Sequence, residues 1–376
     1  MTAPFTPLVA RLPASVPFVG PEAQERARGL SFRARLGANE SAFGPSPKAV
    51  AAMADAAAAV WQYGDPENHD LKSALAGIHG ILPERISIGE GIDGLLGTIV
   101  RMFVVEGTPV VTSAGAYPTF NYHVNGFGGR LVTVPYRDDH EDPDGLVAAA
   151  GREDAPLVYL ANPDNPMGSW HTAERLAATL DALPPTAILV LDEAYVEFAP
   201  ESAVLPMALE HPRLIRLRTF SKAYGMAGAR VGYAVTTTAL AKAFDKVRNH
   251  FGVNRIAQAG AIASLADAEH LATVRAAVSR ARERISAIAT AHGLTPLPSA
   301  TNFVAIDTGR DGAFARALVA ALVERGVFVR MPFVAPQDRC IRVTAGPDEM
   351  LAVFEAELGP ALEAVRDATM EPAAAE

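Results

Sequence analysis

Lys222 lies in Thr219-Phe220-Ser221-Lys222-Ala223-Tyr224-Gly225-Met226-Ala227-Gly228-Ala229-Arg230. Before it comes an apolar run, 213–217, that reads as a strand. The string holds two aliphatic hydroxyls, a lysine, two glycines and a second cation eight residues after the lysine. A lone lysine in a surface loop carries no chemistry; the combination does. A desolvated lysine near other cations loses its proton and becomes a nucleophilic amine. Hydroxyls beside an arginine offer fixed donors and a permanently charged planar fork, which suits a phosphate. The glycines let a bound group approach the backbone closely.

Four other segments have residue types that could join that lysine. The apolar run 187–191 ends in Asp192-Glu193 and then Tyr195. Acids there sit at the carboxyl edge of a sheet, where open α/β sheets bind ligands. An acidic strand end also suits a metal or a nucleotide triphosphatase, but the chain has no GxxxxGK[ST] segment, so the triphosphatase reading fails. Gly89-Glu90-Gly91-Ile92-Asp93-Gly94 falls between a strand at 85–88 and a helix reaching about residue 105. This is formally a dinucleotide fingerprint. That reading needs an acid closing the next strand, and 109–113 runs into Ser113-Ala114-Gly115 instead. Free N–H groups at a helix start bind any phosphate, so the segment remains an anion site. Asn162-Pro163-Asp164-Asn165-Pro166-Met167-Gly168 reads as a turn whose Asn165 amide can donate without a change of charge. In Cys340-Ile341-Arg342-Val343-Thr344, strand alternation puts Arg342 on the face opposite Ile341 and Val343. A buried arginine is costly without an anion; the alternatives are a ligand and a structural ion pair.

Taken in order, Asn39, Tyr63, Asp93, Tyr117, Asn165, Asp192, Tyr195, Lys222, Arg230 and Arg342 resemble the fold-type I pyridoxal-phosphate (PLP) enzymes, most of all the histidinol-phosphate aminotransferase family. The resemblance spans nearly the whole chain. It implies that Lys222 carries PLP as a Schiff base, with Thr219, Ser221, Arg230 and the Gly91-Ile92-Asp93 turn on the phosphate. It implies Tyr117 stacked on the pyridine, and Asn165 and Tyr195 on the 3-hydroxyl oxygen. Asp192 would keep the pyridine nitrogen protonated, which the ring needs in order to accept electrons. Tyr63 would reach the neighbouring subunit's phosphate site, so a homodimer with shared active sites is expected. Asn39 and Phe43 in the segment 36–47, with Arg330 and Arg342, would line the substrate side.

The resemblance also implies a fold: an α/β large domain over 39–265, with a mainly parallel seven-stranded sheet between helices, and a small α+β domain over 266–370. The proline-rich stretch 1–38 is expected as an extended arm against the small domain or the dimer interface, and 371–376 as a disordered tail. Several positions depart from the family pattern. Gln62 and Gly64 flank Tyr63 where many relatives have arginine and proline, Met167 stands for a threonine, and His250 and Gly252 replace proline and asparagine. Phe251 stands where phosphate-binding relatives can have tyrosine. These departures gather on the substrate side. The activity implied is therefore amino transfer from histidinol phosphate, or from an aromatic or other L-amino acid, to a 2-oxo acid such as 2-oxoglutarate. A PLP-dependent decarboxylase of an amino-acid phosphate and a PLP-binding regulatory module are the other readings. Carbon dioxide release without a 2-oxo acid would mark the first, and tight duplex DNA binding the second.

Composition narrows the rest. A net charge of −9 without a basic stripe argues against nucleic-acid partners. Cys340 is the sole cysteine, so no internal disulfide forms. No basic-then-apolar leader and no apolar run of about 18 residues is present, which points to the cytoplasm. No metal site is expected.

Overall fold

The computed structural model describes residues 3–14 and 19–370. The expected tail at 371–376 lies outside the described residues. Seven strands form the central sheet: β1 (Ile86–Gly89), β2 (Pro109–Ser113), β3 (Arg130–Val134), β4 (Leu157–Ala161), β5 (Ile188–Asp192), β6 (Leu214–Thr219) and β7 (Gly232–Val235). Their spatial order is β1-β7-β6-β5-β4-β2-β3. β7 runs antiparallel to both its neighbours, and the other pairs are parallel.

Parallel strands buried on both faces read as continuous apolar runs. Alternation then sends successive side chains to opposite layers. Val110, Tyr159 and Val190 join one core, with Leu96, Ile99 and Phe120 from α1 (Gly91–Phe103) and α2 (Pro118–Gly126). Val111, Val158, Leu160, Leu189 and Leu191 join the other, with Leu146 and Leu180 from α3 (Pro143–Glu153) and α4 (Ala173–Ala182). The parallel crossovers leave the carboxyl ends of β4, β5 and β6 side by side. Ala161, Asp192 and Leu217 are in register across them, so the motifs after these strands emerge at one edge.

The last third holds a three-stranded antiparallel sheet of β8 (Thr295–Pro296), β9 (Phe303–Asp307) and β10 (Cys340–Thr344). Its core takes side chains from the helices Ala268–Ala291, Gly312–Glu324 and Asp348–Met370, together with Leu36, Tyr195 and Ala223 from earlier in the chain. Arg342 on β10 is thereby carried to the mouth of the large sheet. Among the described residues, no helix is long and apolar enough to cross a membrane.

The N-terminal stretch departs from the extended course expected of it. It forms helices over Pro7–Arg11 and Pro21–Arg28. Both begin on a proline, whose missing N–H costs nothing in the first turn. Thr6 accepts from the Val9 amide, and Gly29 ends the second helix in the left-handed region. Ala34–Arg35 then pairs in parallel with Val327–Phe328.

The lysine turn is pressed against the segment that holds Asn39. Gly225 has φ +68°, and a Cβ added there would lie 2.3 Å from the Gly44 carbonyl oxygen. Left-handed strain and a backbone clash act together, so Gly225→Ala should lose about 3 kcal/mol of stability. Urea unfolding of the two proteins, with equal m-values, checks this.

Candidate active site

A cavity of about 350 Å³ opens at the carboxyl edge of β4, β5 and β6. Lys222 lines it. The Lys222 Nζ donates to the Asn39 carbonyl at 3.1 Å and sits 5.5 Å from the centre of the Tyr195 ring. Burial, then the nearby Arg342 cation, brings its pKa down to about 8. The amine is therefore neutral in an appreciable fraction of molecules near neutrality.

One end of the cavity is built for an anion. Thr219, Ser221 and Arg230 line it beside Ile92 and Asp93 at the start of α1. The Arg230 guanidinium donates to Asp93 Oδ2 at 3.0 Å and to Ser221 Oγ at 3.4 Å. Thr219 Oγ1 accepts from the Ser221 amide at 3.0 Å, which closes the turn before the lysine. Gly91 does not line the cavity but makes it possible: its φ is +71°, and a Cβ there would come within 2.6 Å of Arg230 Nη2. Tyr117 covers one side, its hydroxyl donating to Asp93 Oδ1 at 2.8 Å.

Asp192 also lines the cavity and is 4% exposed. Its Oδ1 accepts from the Ala194 amide at 2.9 Å and its Oδ2 from the Tyr159 hydroxyl at 2.7 Å. Burial raises its pKa to about 6, while those bonds oppose the rise. The two acids of Asp192-Glu193 thus have separate fates. Glu193 turns away and is held by Arg216 at 2.7 Å and Arg218 at 3.0 Å, with Arg216 and Glu193 both buried. Only Asp192 faces the cavity.

Arg342 enters from β10. It donates to Asn165 Oδ1 and, at 3.3 Å, to the Gly37 carbonyl. Its Nε is buried without a partner, and burial brings its pKa down to about 10. No acid pairs with it among the described residues, so the structural ion pair is ruled out there. Asn39 Nδ2 donates to the Tyr195 hydroxyl at 3.0 Å. Arg330 lines the mouth and donates to the Val19 carbonyl at 2.7 Å.

Two expected residues lie elsewhere. Phe43 does not line the cavity; its partly buried ring packs on the core of the small sheet. Tyr63 is 78% exposed and its ring lies tilted against Phe251, with centres 4.8 Å apart, outside this chain's own cavity. Sequence reasoning missed Tyr159. A signal was present: a tyrosine within an aliphatic buried run needs a partner for its hydroxyl.

This fold and site define a class. The chain matches the family described as aminotransferase class I and II over residues 34–356, and belongs to it. It is 38% identical over 345 residues to the histidinol-phosphate aminotransferase of Anaeromyxobacter sp. (strain Fw109-5), covering 90% of this chain and 94% of that one. A solved histidinol-phosphate aminotransferase from Sinorhizobium meliloti, in complex with pyridoxal-5'-phosphate, is 57% identical with a TM-score of 0.94, over 97% of this chain and 99% of that one. The aspartate aminotransferase from Thermus thermophilus with maleate is 21% identical with a TM-score of 0.81, over 96% and 100%, and shares the fold. The fold is the aspartate-aminotransferase-like fold type I, and the chain is an aminotransferase.

Proposed function

We propose that this chain is a cytoplasmic PLP-dependent aminotransferase that takes its amino group from histidinol phosphate and passes it to a 2-oxo acid such as 2-oxoglutarate. The observation that carries the reading is the cavity itself. It joins a lysine with a depressed pKa, an anion cradle, a buried carboxylate and an arginine with an unpartnered buried nitrogen. The two histidinol-phosphate aminotransferases matched above support the donor.

The residues fit PLP. The cradle that a Cβ at Gly91 would fill leaves Arg230, Ser221 and Thr219 to hold a phosphate, with the N–H groups opening α1. Tyr117 would pack on the ring, Asn165 and Tyr195 would meet its 3-hydroxyl oxygen, and Asp192 would keep a proton on its nitrogen; all four line the cavity. When bound, PLP supplies a ring that takes up the electron pair left by the donor's Cα–H bond. Lys222 would hold the cofactor through its amine, and its Nζ would take up and return the Cα proton. Its depressed pKa leaves that nitrogen able to accept a proton. Arg342 takes the carboxylate of the 2-oxo acid, and Arg330 at the mouth takes the distal anion. Asn39 holds the Tyr195 hydroxyl in place.

The site is shared in a homodimer. Tyr63 and the half-exposed Phe251 lie ring against ring in the single chain, and Trp61 and Tyr63 are 80% and 78% exposed. A second copy covers them, and Tyr63 reaches its phosphate cradle. Sedimentation should give a dimer; a fully active monomer would contradict the arrangement.

The donor is tested by half-reactions, without a 2-oxo acid, following the visible band of the PLP-loaded protein. Histidinol phosphate and glutamate should bleach it rapidly, while histidine and phenylalanine should not. Bleaching by free aromatic amino acids with histidinol phosphate inert would overturn the donor. Carbon dioxide release without a 2-oxo acid would make the chain a lyase.

A further inference from the structure

We propose that Tyr159 is a positioning residue for Asp192: its hydroxyl holds one carboxylate oxygen, so that the carboxylate stays anionic with free lone pairs facing the cavity. The inference rests on the reading that Asp192 serves the ring nitrogen of PLP.

The argument begins with the strand. Leu157-Val158-Tyr159-Leu160-Ala161 is an interior strand with every residue buried. Alternation puts Tyr159 on the same face as Ala161, and both line the cavity. A phenol there is 0% exposed and must find its hydrogen bond within the protein. It donates to Asp192 Oδ2 at 2.7 Å. The ring cannot swing away, because it is stacked on Phe120 with centres 4.7 Å apart and planes 17° apart. Phe120 is itself 0% exposed, on α2. A fixed ring thus delivers a fixed hydroxyl.

The second oxygen of Asp192 is held by the Ala194 amide at 2.9 Å. A carboxylate has about four lone-pair sites, so two remain for a ligand in the cavity. Two donors on one carboxylate favour its charged form and oppose burial. The groups that bear on Asp192 are Asp93 on α1, which raises its pKa, and Lys222 after β6, which lowers it. Asp192 in turn raises the pKa of Glu141 after β3 and of Tyr195. Tyr159 is pushed well above the ordinary tyrosine range by burial, so it stays a donor at any working pH. No other side chain donates to Asp192 among the described residues, which makes the role of Tyr159 separable.

Tyr159→Phe is the test, because the ring and its stack on Phe120 are kept and only the hydroxyl is lost. In the PLP-loaded dimer the donor half-reaction at saturation should slow about tenfold, the size expected for a lost bond to a charged group. The donor's half-saturation should stay within about twofold, since nothing in the donor pocket changes. The pH midpoint of the visible band should rise by about one unit. The sign follows from charge: an undersupported Asp192 takes up the proton itself, the cavity loses positive charge at the ring, and the Lys222 nitrogen holds its proton to higher pH. An unchanged midpoint and an unchanged rate would overturn the proposal, with or without a lower melting temperature. A wild-type chain that takes up no PLP would overturn the function itself and this inference with it.

Discussion

Lys222→Ala should stop turnover, with a loss of at least about ten-thousandfold, because one group is both the attachment point and the proton carrier. The phosphate cradle does not involve the lysine side chain, so the variant should still take up PLP, without a covalent link. Borohydride treatment followed by peptide mapping should label the Lys222 peptide in the wild type and nothing in the variant. A small amine such as methylamine should restore part of the proton transfer through the space left. An active, cofactor-loaded Lys222→Ala protein would refute the mechanism. The cofactor-free proteins carry a second signature. Folding lowers the Lys222 pKa from 10.5 to about 8, chiefly through burial. Between those values the unfolded chain binds more protons, so stability rises with pH across about 8 to 10.5. Below that window the buried cation costs stability in full. The variant should lack that rise, which denaturant titrations at pH 8 and pH 10 would register.

Asp192→Asn should cut turnover by about a thousandfold, the size seen when a fixed charge-stabilising group is removed from a site. The amide keeps the shape and can still meet Tyr159, but it cannot keep a proton on a ring nitrogen. The loss should fall on the rate at saturation and spare donor binding. An Asp192→Asn enzyme within a few-fold of wild type would sink the assignment. Stability should move the other way. Burial raises the Asp192 pKa from 3.8 to about 6 on folding. Between those values the folded chain binds more protons, so the stability of the cofactor-free protein falls as pH rises through that window, and the cost is complete above it. The asparagine variant removes this cost, so at pH 8 it should be no less stable than wild type while nearly inactive.

Much of this site is legible in sequence because its parts are local. Thr219, Ser221, Lys222 and Arg230 share one turn, and the Gly91 start of α1 follows one strand. Their spacing is set by strand ends and helix starts, which hydrophobic alternation and glycine placement mark directly. Those local signals carry the family resemblance, and it is the resemblance that implies the class of enzyme, the cofactor and the sheet. The helices at Pro7–Arg11 and Pro21–Arg28 were not read, because proline density suggests an extended chain unless each proline is seen to occupy a first turn.

What only the tertiary structure decided are choices between neighbours and between distant partners. Asp192 and Glu193 are adjacent acids; the arginines on β6 take Glu193 because alternation turns it away from the cavity. Arg342 could have been paired with an acid, but among the described residues none pairs with it, and its buried Nε has no partner there. Phe43 belongs to a segment that does line the cavity, yet its partly buried ring packs against the small-sheet core instead. Tyr159 meets Asp192 across 33 residues of chain only because β4 and β5 lie side by side in parallel register. Sequence determines which side chains are available and how the nearest ones are spaced. Register and packing decide which of them share a cavity, because contacts across a sheet depend on strand order, which no local pattern encodes.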